Sequence, residues 1–419
     1  MRCVACGAIG KSENRLANKT ITAVKGFLAG AMHCGIKESG KPDLALLVSK
    51  MPAAAAGVFT TNKVQGAPVI VGREHIAGGR LQGCVINSGC ANVCTGQRGL
   101  RDAREMCALA AQNLKTVGVR LPPSQMLPSS TGVIGRFLPM DKLRSGIPAL
   151  VAKLADTAEA GEAFAQGILT TDTCVKTAYA TLHAGGATIT IAGNCKGSGM
   201  IAPNMATMLA YVATDAAIAP APLRRIVKAV ADQTFNCVTV DQHTSTSDTF
   251  VCMANGMSGG RILSGRDLNK FTTGLMEVCL SLAKQIARDG EGATKLVRVF
   301  VCGARTTSDA KRAALAIANS PLVKTAIHGG DPNWGRFVSA AGYSGASMNV
   351  AKSVCKVGKI TVFRAGRPTD VALSKVEAAM RQTEVDITLD LGTSGAGTAQ
   401  VFTCDLSREY ITINADYHT

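Results

Sequence analysis

Aromatic residues are scarce in this sequence. Of its 419 residues only 4% are aromatic, with one Trp, five Tyr and eleven Phe. Hydrophobic residues still make up 47% of the chain, which excludes an intrinsically disordered protein. The interior must therefore be built mainly from Ala, Val, Leu, Ile and Met. The shortage of rings also leaves few side chains that could stack on nucleic-acid bases.

Long apolar runs are missing as well. A membrane-spanning helix needs about 18 or more consecutive apolar residues. The most apolar window, 201–223, is interrupted by Pro203, Asn204, Asp215 and Pro220. The sequence therefore excludes a membrane span, and we expect no membrane partner.

Acidic residues are outnumbered by basic ones. The 45 Lys and Arg against 29 Asp and Glu give a formal net charge of +16. Such a surplus suits nucleic acids or acidic metabolites. The basic residues are scattered, however, and no run is longer than a pair such as Arg224–Arg225. We therefore expect an ordinary basic surface and no nucleic-acid partner; an RNA- or DNA-binding protein is an alternative that the charge alone supports.

Paired histidines of the kind that bind metals are also absent. None of the six His stands in an H-x-x-H or H-E-x-x-H arrangement, so we predict no metal. The 15 Cys are odd in number and spread from Cys3 to Cys404, whereas a secreted disulfide framework is short and even-numbered. Since the N-terminus also lacks an apolar signal core, the sequence predicts a reducing, cytoplasmic location.

Helical and strand patterns alternate along the chain. In the first predicted helix Asp102 is the candidate N-cap, and Met106, Leu109 and Leu114 share one face. The predicted helices cover 102–116, 142–155, 222–233, 273–287 and 308–318. The predicted strands cover 83–87, 187–192, 237–241, 249–254, 296–302, 359–363 and 385–391. This mixture indicates an α/β fold with helices packed on sheets, without the strict alternation that would predict a parallel sheet.

One segment could generate a nucleophile from its own chain. After a strand that ends near Lys196, the pair Pro203-Asn204 interrupts regular structure, and small Ala206 precedes Thr207. A hydroxyl held in such a loop can attack the carbonyl before it, and hydrolysis of the resulting ester leaves Thr207 with a free α-amine. That amine has an ordinary pKa of about 7.7–8.0. It can therefore accept the hydroxyl proton near neutral pH, as N-terminal Thr nucleophiles require.

The same segment resembles a known family signature. K-G-S-G-M-I-A-P-N-M-A-T-M-L, at 196–209, is similar to the motif of the glutamate N-acetyltransferase (ornithine acetyltransferase) family, enzymes of arginine biosynthesis. The resemblance runs from about residue 20 to the C-terminus, and residues 1–19 lie outside it. Further segments that resemble the family are 57–62, 87–92, 130–135, 170–173, 245–249, 290–295, 331–336 and 413–419.

The resemblance implies a fold and a processing step. The expected fold is a layered α/β sandwich of the self-cleaving ornithine acetyltransferase and aminopeptidase type. The precursor is expected to cut itself between Ala206 and Thr207, which gives an alpha chain, 1–206, and a beta chain, 207–419. Both chains would build one active site, and two of each would form a heterotetramer.

It also implies a reaction. Thr207 would take the acetyl group from N2-acetylornithine, release ornithine, and pass the group to glutamate in a ping-pong cycle that needs no cofactor. Whether acetyl-CoA serves as a second donor, which would add N-acetylglutamate synthase activity, stays open. The alternative is an amide hydrolase with the same N-terminal Thr chemistry, as in the related self-cleaving aminopeptidases.

Individual residues take roles by the same resemblance. Thr131 and Gly132 match the oxyanion hole, where a Gly lets its N–H approach a tetrahedral oxyanion closely. The substrate-binding positions matched are Thr173, Lys196, Thr207, Glu291, Asn414 and Thr419. Lys196 suits a substrate carboxylate or the acetyl oxygen, and Glu291 suits an amino group of ornithine. The sequence departs from the family at Gln242-His243, where Gly-Asp is usual.

Overall fold

Two β-sheets form the frame of the molecule. The computed structural model describes residues 19–202 and 208–416. The strands in these ranges are β1 (Phe27–Met32), β2 (Leu44–Phe59), β3 (Arg80–Cys90), β4 (Met126–Val133), β5 (Lys176–Ala184), β6 (Ala187–Lys196), β7 (Leu209–Thr214), β8 (Thr249–Ala254), β9 (Leu296–Ala304), β10 (Val354–Val357), β11 (Ile360–Arg364), β12 (Arg367–Pro368), β13 (Glu384–Asp390) and β14 (Gly397–Cys404).

Helices cover both sheets. They are α1 (Ala67–Ile76), α2 (Gly96–Leu114), α3 (Met140–Val151), α4 (Ala158–Gly167), α5 (Pro220–Gln233), α6 (Gly265–Arg288), α7 (Thr307–Asn319), α8 (Pro321–Gly329), α9 (Gly335–Gly342), α10 (Leu373–Met380) and α11 (Arg408–Asp416). Within the described ranges, none of them is both long enough and apolar enough to cross a membrane.

The first sheet runs in the order β4-β3-β2-β8-β7-β6-β5, with β1 paired to β2 beside it. The β3–β4 and β7–β8 pairs are parallel, and the other pairs are antiparallel. The long strand β2 pairs with β1 through its first part, and with β8 from Ala54 to Phe59. It therefore joins the two halves of this sheet.

The second sheet has the order β12-β11-β10-β13-β9-β14. Its β9–β13 pair is parallel and its β9–β14 pair antiparallel. Helix α6 lies between the sheets, since its buried Phe271, Leu275 and Leu282 share one apolar cluster with Leu296 of β9 and Phe402 of β14. The layered α/β fold class is thus as predicted.

Small side chains take the place of aromatic ones in the core. Helix α7 buries Ala310, Ala313, Ala314 and Ala318 together with Val299 of β9. Alanine allows helix and sheet to approach closely, so the interior packs densely with few rings. This agrees with the core composition expected from the sequence.

One predicted helix start is wrong. Helix α2 begins at Gly96, and Asp102 lies inside it, mostly buried, with Oδ2 3.7 Å from Arg98 Nε. Gly99 lets the helix begin earlier, because it packs against the preceding turn. Its carbonyl accepts a hydrogen bond from Asn92 Nδ2 at 3.0 Å, and a Cβ there would lie 1.9 Å from Thr95 Oγ1.

One predicted strand is also wrong. Within 237–241 only Val238 forms a bridge, to Phe402, and a 3-10 turn covers Phe235–Cys237. The backbone N–H groups of Val240 and Asp241 instead donate to the carbonyl of Ile201, at 2.8 and 3.3 Å. Since Thr239 N–H donates to the Phe402 carbonyl at 2.9 Å and the next two N–H groups turn to Ile201, no ladder continues and the apolar run becomes a buried connecting segment.

Candidate active site

A buried ion cluster holds the start of β5. Lys176 Nζ is fully buried and donates to Asp172 Oδ1 at 2.6 Å and to Asp289 Oδ2 at 2.5 Å. Burial lowers the pKa of Lys176, but the two carboxylates outweigh it and raise that pKa above its ordinary value. Burial by itself would raise the pKa of Asp172. The charges of Lys176 and Lys196 outweigh it and hold that pKa below its ordinary value. Lys176 and Asp172 therefore stay charged and the cluster is rigid, because breaking a buried ion pair leaves an uncompensated charge.

Thr173 lies against this cluster. Its backbone N–H donates to Asp289 Oδ2 at 3.1 Å, and its hydroxyl donates to Asp289 Oδ1. Since the hydroxyl proton is already used, the Thr173 oxygen can only accept from a ligand. It therefore suits an N–H group of a substrate.

Lys196 ends β6 and is 4% exposed. Within the described residues its Nζ makes one long hydrogen bond, 3.4 Å to Thr170 Oγ1. Burial lowers the pKa of Lys196, against the opposing charges of Asp172 and Asp248. Unlike Lys176, it contacts no carboxylate among the residues that the structure describes, which leaves donor capacity for a ligand.

Glu291 and Asn414 meet although they are far apart in the chain. Asn414 Nδ2, on α11, donates to Glu291 Oε2 at 2.8 Å, and the Glu291 N–H donates to the Ser198 carbonyl at 3.1 Å. A Cβ on Gly199 would lie 2.3 Å from the Glu291 carboxylate, so this glycine makes room for it. The amide leaves Glu291 Oε1 to accept from a cationic group.

Thr131 and Gly132 lie near the end of β4, beside Ser88 and Gly89 of β3. Gly132 has a φ of +127°, and a Cβ there would be 2.4 Å from the carbonyl carbon of Gly89. Only glycine fits such a position. The backbone conformation and the close neighbour therefore explain why this position requires Gly. The role of Thr131 and Gly132 in stabilising an oxyanion stays a prediction.

Lys37 connects the two parts of this region, and sequence reasoning missed it. A Cβ on Gly89 would lie 3.1 Å from Lys37 Cγ, and Lys37 Nζ donates to the carbonyls of Pro42 and Leu169, both at 2.8 Å. Leu169 is followed by Thr170, which contacts Lys196. Burial lowers the pKa of Lys37 to about 8. A lone Lys in a loop carries no sequence signal, so only the fold reveals it.

Two carboxylates hold the chain on either side of 203–207. Asp241 accepts from the N–H groups of Met200 and Ile201, at 2.6 and 2.9 Å, and Asp248 Oδ1 accepts from Met208 N–H at 2.9 Å. Tyr410 of α11 donates to Asp241 Oδ2 at 3.3 Å. Asp248 lies in the 245–249 motif, a signal that could have identified it, whereas Asp241 had been assigned to a strand.

The departure at Gln242 has a backbone consequence. Gln242 has a φ of +65°, a left-handed conformation that a side chain adopts at a cost of about 1–2 kcal/mol. The Gly that the family resemblance leads us to expect there would adopt it without that strain.

Some predicted site residues fall outside the described residues, namely Ala206, Thr207 and Thr419. The predicted site residues that the structure describes form one connected region together with Lys37. Lys37 and Lys196 bring positive charge, Glu291 brings negative charge, and Thr173 adds an acceptor. Two opposite charges and a hydroxyl suit a small zwitterion such as an amino acid. Across residues 19–202 and 208–416, no group of three or more His, Cys, Asp or Glu could hold a metal ion; the absence of a metal stays a prediction.

Comparisons with known proteins agree over nearly the whole chain. The family model described as the ArgJ family matches residues 28–419. The arginine biosynthesis bifunctional protein ArgJ of Symbiobacterium thermophilum is 48% identical over 405 residues, which cover 95% of this chain and 98% of that protein.

Two solved structures are similar to parts of the chain. An arginine biosynthesis bifunctional protein argJ from Bacillus halodurans is 41% identical, with a TM-score of 0.48, over 49% of this chain and 98% of that chain. An ornithine acetyltransferase from Mycobacterium tuberculosis, solved with ornithine, is 37% identical, with a TM-score of 0.41, over 45% of this chain and 97% of that chain.

Proposed function

The chain belongs to the ArgJ family, and on that premise we propose that it transfers the acetyl group of N2-acetylornithine to glutamate in arginine biosynthesis. The observation that carries the proposal is that buried Lys196, which contacts no carboxylate among the described residues, lies three residues before Gly199, which makes room for the Asn414-held Glu291. Both substrates are amino acids or their acyl derivatives. Each therefore presents a carboxylate for the lysine, and ornithine also presents an amine for Glu291.

The chemistry follows from an N-terminal Thr207. Its Oγ attacks the acetyl carbon of N2-acetylornithine while its α-amine takes the hydroxyl proton. The C–N bond then breaks, and the proton leaves with the ornithine nitrogen. The amine of glutamate attacks the acetyl ester, forms N-acetylglutamate and returns the hydroxyl of Thr207. Thr131 and Gly132 are proposed to stabilise the tetrahedral oxyanion of both steps, and Thr173, Asn414 and Thr419 to orient the substrates.

The α-amine has to be released first. We propose that the precursor cuts itself between Ala206 and Thr207 and that two alpha and two beta chains assemble. The relatives' name includes the word bifunctional, which supports acetyl-CoA as a second acetyl donor. The count and spread of the cysteines support a cytoplasmic location.

Intact mass and activity test this proposal together. Wild-type protein is expected to give two chains, the second beginning at Thr207, whereas Thr207→Ala is expected to give one uncut chain without activity. Ornithine release from N2-acetylornithine is expected to depend on glutamate, and N-acetylglutamate is expected to accumulate in equal amount. A single intact wild-type chain that lacks transferase activity would overturn the proposal.

The same assay separates transferase from hydrolase. A hydrolase would release acetate from N2-acetylornithine, with no increase in rate when glutamate is added. The second donor is tested by replacing N2-acetylornithine with acetyl-CoA and measuring N-acetylglutamate. If no N-acetylglutamate forms from acetyl-CoA, the enzyme has the transferase activity alone, and the proposed transfer from N2-acetylornithine still stands.

A further inference from the structure

Asp248 is a buried carboxyl group that the chemistry above leaves without a role. It lies directly before β8 and is fully buried. Its Oδ1 accepts from the Met208 N–H at 2.9 Å, and the next residue, Thr249, donates its N–H to the Met208 carbonyl at 3.0 Å. Met208 is thus held at both backbone groups. Its nitrogen is bonded to the carbonyl carbon of Thr207, so this contact acts one bond from the residue that carries the proposed nucleophile.

The second oxygen of Asp248 lacks a partner. Oδ2 is buried and makes no hydrogen bond to any described residue. Burial raises the pKa of Asp248 well above its ordinary value, although the Met208 N–H and the charge of Lys196 oppose the shift. Burial thus favours the uncharged form of this carboxyl group, because an isolated buried charge is strongly disfavoured.

We propose that Asp248 is a positioning residue that fixes Met208, the residue after Thr207, for self-cleavage and for acetyl transfer. This inference rests on the proposed function. Oδ1 holds the backbone nitrogen of Met208. The group neither attacks nor takes up a proton, so no bond to it forms or breaks.

Two substitutions distinguish a group that positions Met208 through a hydrogen bond from a charged base. Asp248→Asn keeps an acceptor for the Met208 N–H and removes the charge. Asp248→Ala removes the acceptor as well. We expect the Asn variant to cleave and to transfer acetyl at close to the wild-type rates, and the Ala variant to lose about 10²-fold or more in each, the size of effect that misplacement of a reacting group produces.

A matched control comes from Asp215 at the other end of the same sheet. It is also buried, burial also raises its pKa, and it accepts one backbone N–H, from Thr190 at 2.8 Å. Asp215→Ala is expected to lower the thermal unfolding midpoint as Asp248→Ala does, yet to leave cleavage and transfer intact. This comparison separates positioning from a general loss of stability.

Cleavage is followed by intact mass over time, and transfer by kcat and KM in the cleaved fraction. A full loss in Asp248→Asn would overturn the proposal, because a charged carboxylate would then be required. Full cleavage and activity in Asp248→Ala, with wild-type protein cleaved, would overturn it as well while leaving the proposed function standing. An uncut, inactive wild-type chain would overturn the proposed function, and this inference with it.

Discussion

At the scale of single residues, Gly132 is the position where backbone geometry restricts the side chain most directly. We predict that Gly132→Ala lowers kcat/KM about 10²–10³-fold, the usual effect of losing one oxyanion donor. The reason is that its φ of +127° and the 2.4 Å approach to Gly89 force the backbone to move when a Cβ is added. Steady-state kinetics on the purified variant measures the loss.

Gly118 provides the control for that substitution. It has a φ of +80°, and a Cβ there would meet nothing within 4 Å. Gly118→Ala should therefore show backbone strain of about 1–2 kcal/mol in thermal unfolding and keep full activity. Equal kinetics for Gly132→Ala and wild type would show that Gly132 has no role in stabilising the oxyanion.

At the scale of elements, α11 contributes to the site without contributing to the core. Within 408–416 it buries no residue, yet it carries Asn414 to Glu291 and Tyr410 to Asp241. A hydrogen bond to a charged group is worth about 1.5–3 kcal/mol. Asn414→Ala is therefore expected to lower kcat/KM for N2-acetylornithine by about tenfold or more, with an unchanged unfolding midpoint.

Thr412 lies on the same helix and serves as the matched control. Its hydroxyl donates within the helix, to the Arg408 carbonyl at 3.4 Å. Thr412→Ala should behave like wild type in both assays. If Asn414→Ala were kinetically indistinguishable from Thr412→Ala, the Asn414–Glu291 contact would have no part in substrate binding.

At the scale of the whole molecule, the position of the proposed cut decides what cleavage does to the fold. Strand β6 precedes it and β7 follows it, and the two are antiparallel neighbours from the Ile191–Thr214 pair to the Lys196–Leu209 pair. Strands β2 and β8 pair across the same division. We predict that the cleaved halves stay associated through one shared core and elute as a single species from size-exclusion chromatography.

Denaturant should then separate them. The two masses are expected to resolve only after unfolding, because each half alone would expose its side of the ladders and of the apolar cluster around α6. Halves that separate under native conditions would contradict the shared core. Thr207→Ala provides the comparison, since its uncut chain should elute at the same volume as the cleaved protein.

The sequence alone determined the parts of this protein that depend on neighbouring residues. The 196–209 motif led to the family. Apolar periodicity located both ends of α5 and α7 and the end of α6 to within two residues, whereas α6 starts at Gly265, earlier than the predicted residue 273. The low aromatic content of the core follows from the composition, and Gly132 was expected from the family resemblance.

Only the tertiary structure decided the contacts that build the site. Thr173 meets Asp289 across 116 positions, and Asn414 meets Glu291 across 123. The placement of Lys37 depends on Leu169, 132 positions away, and the irregular path of 237–241 depends on Ile201 and Phe402. A pattern read along the chain reports which residues can share a face, whereas burial and pairing depend on which elements pack together. For that reason the sequence predicts the type of reaction, whereas the arrangement of Lys37, Lys196 and Glu291 around the site is seen only in the fold.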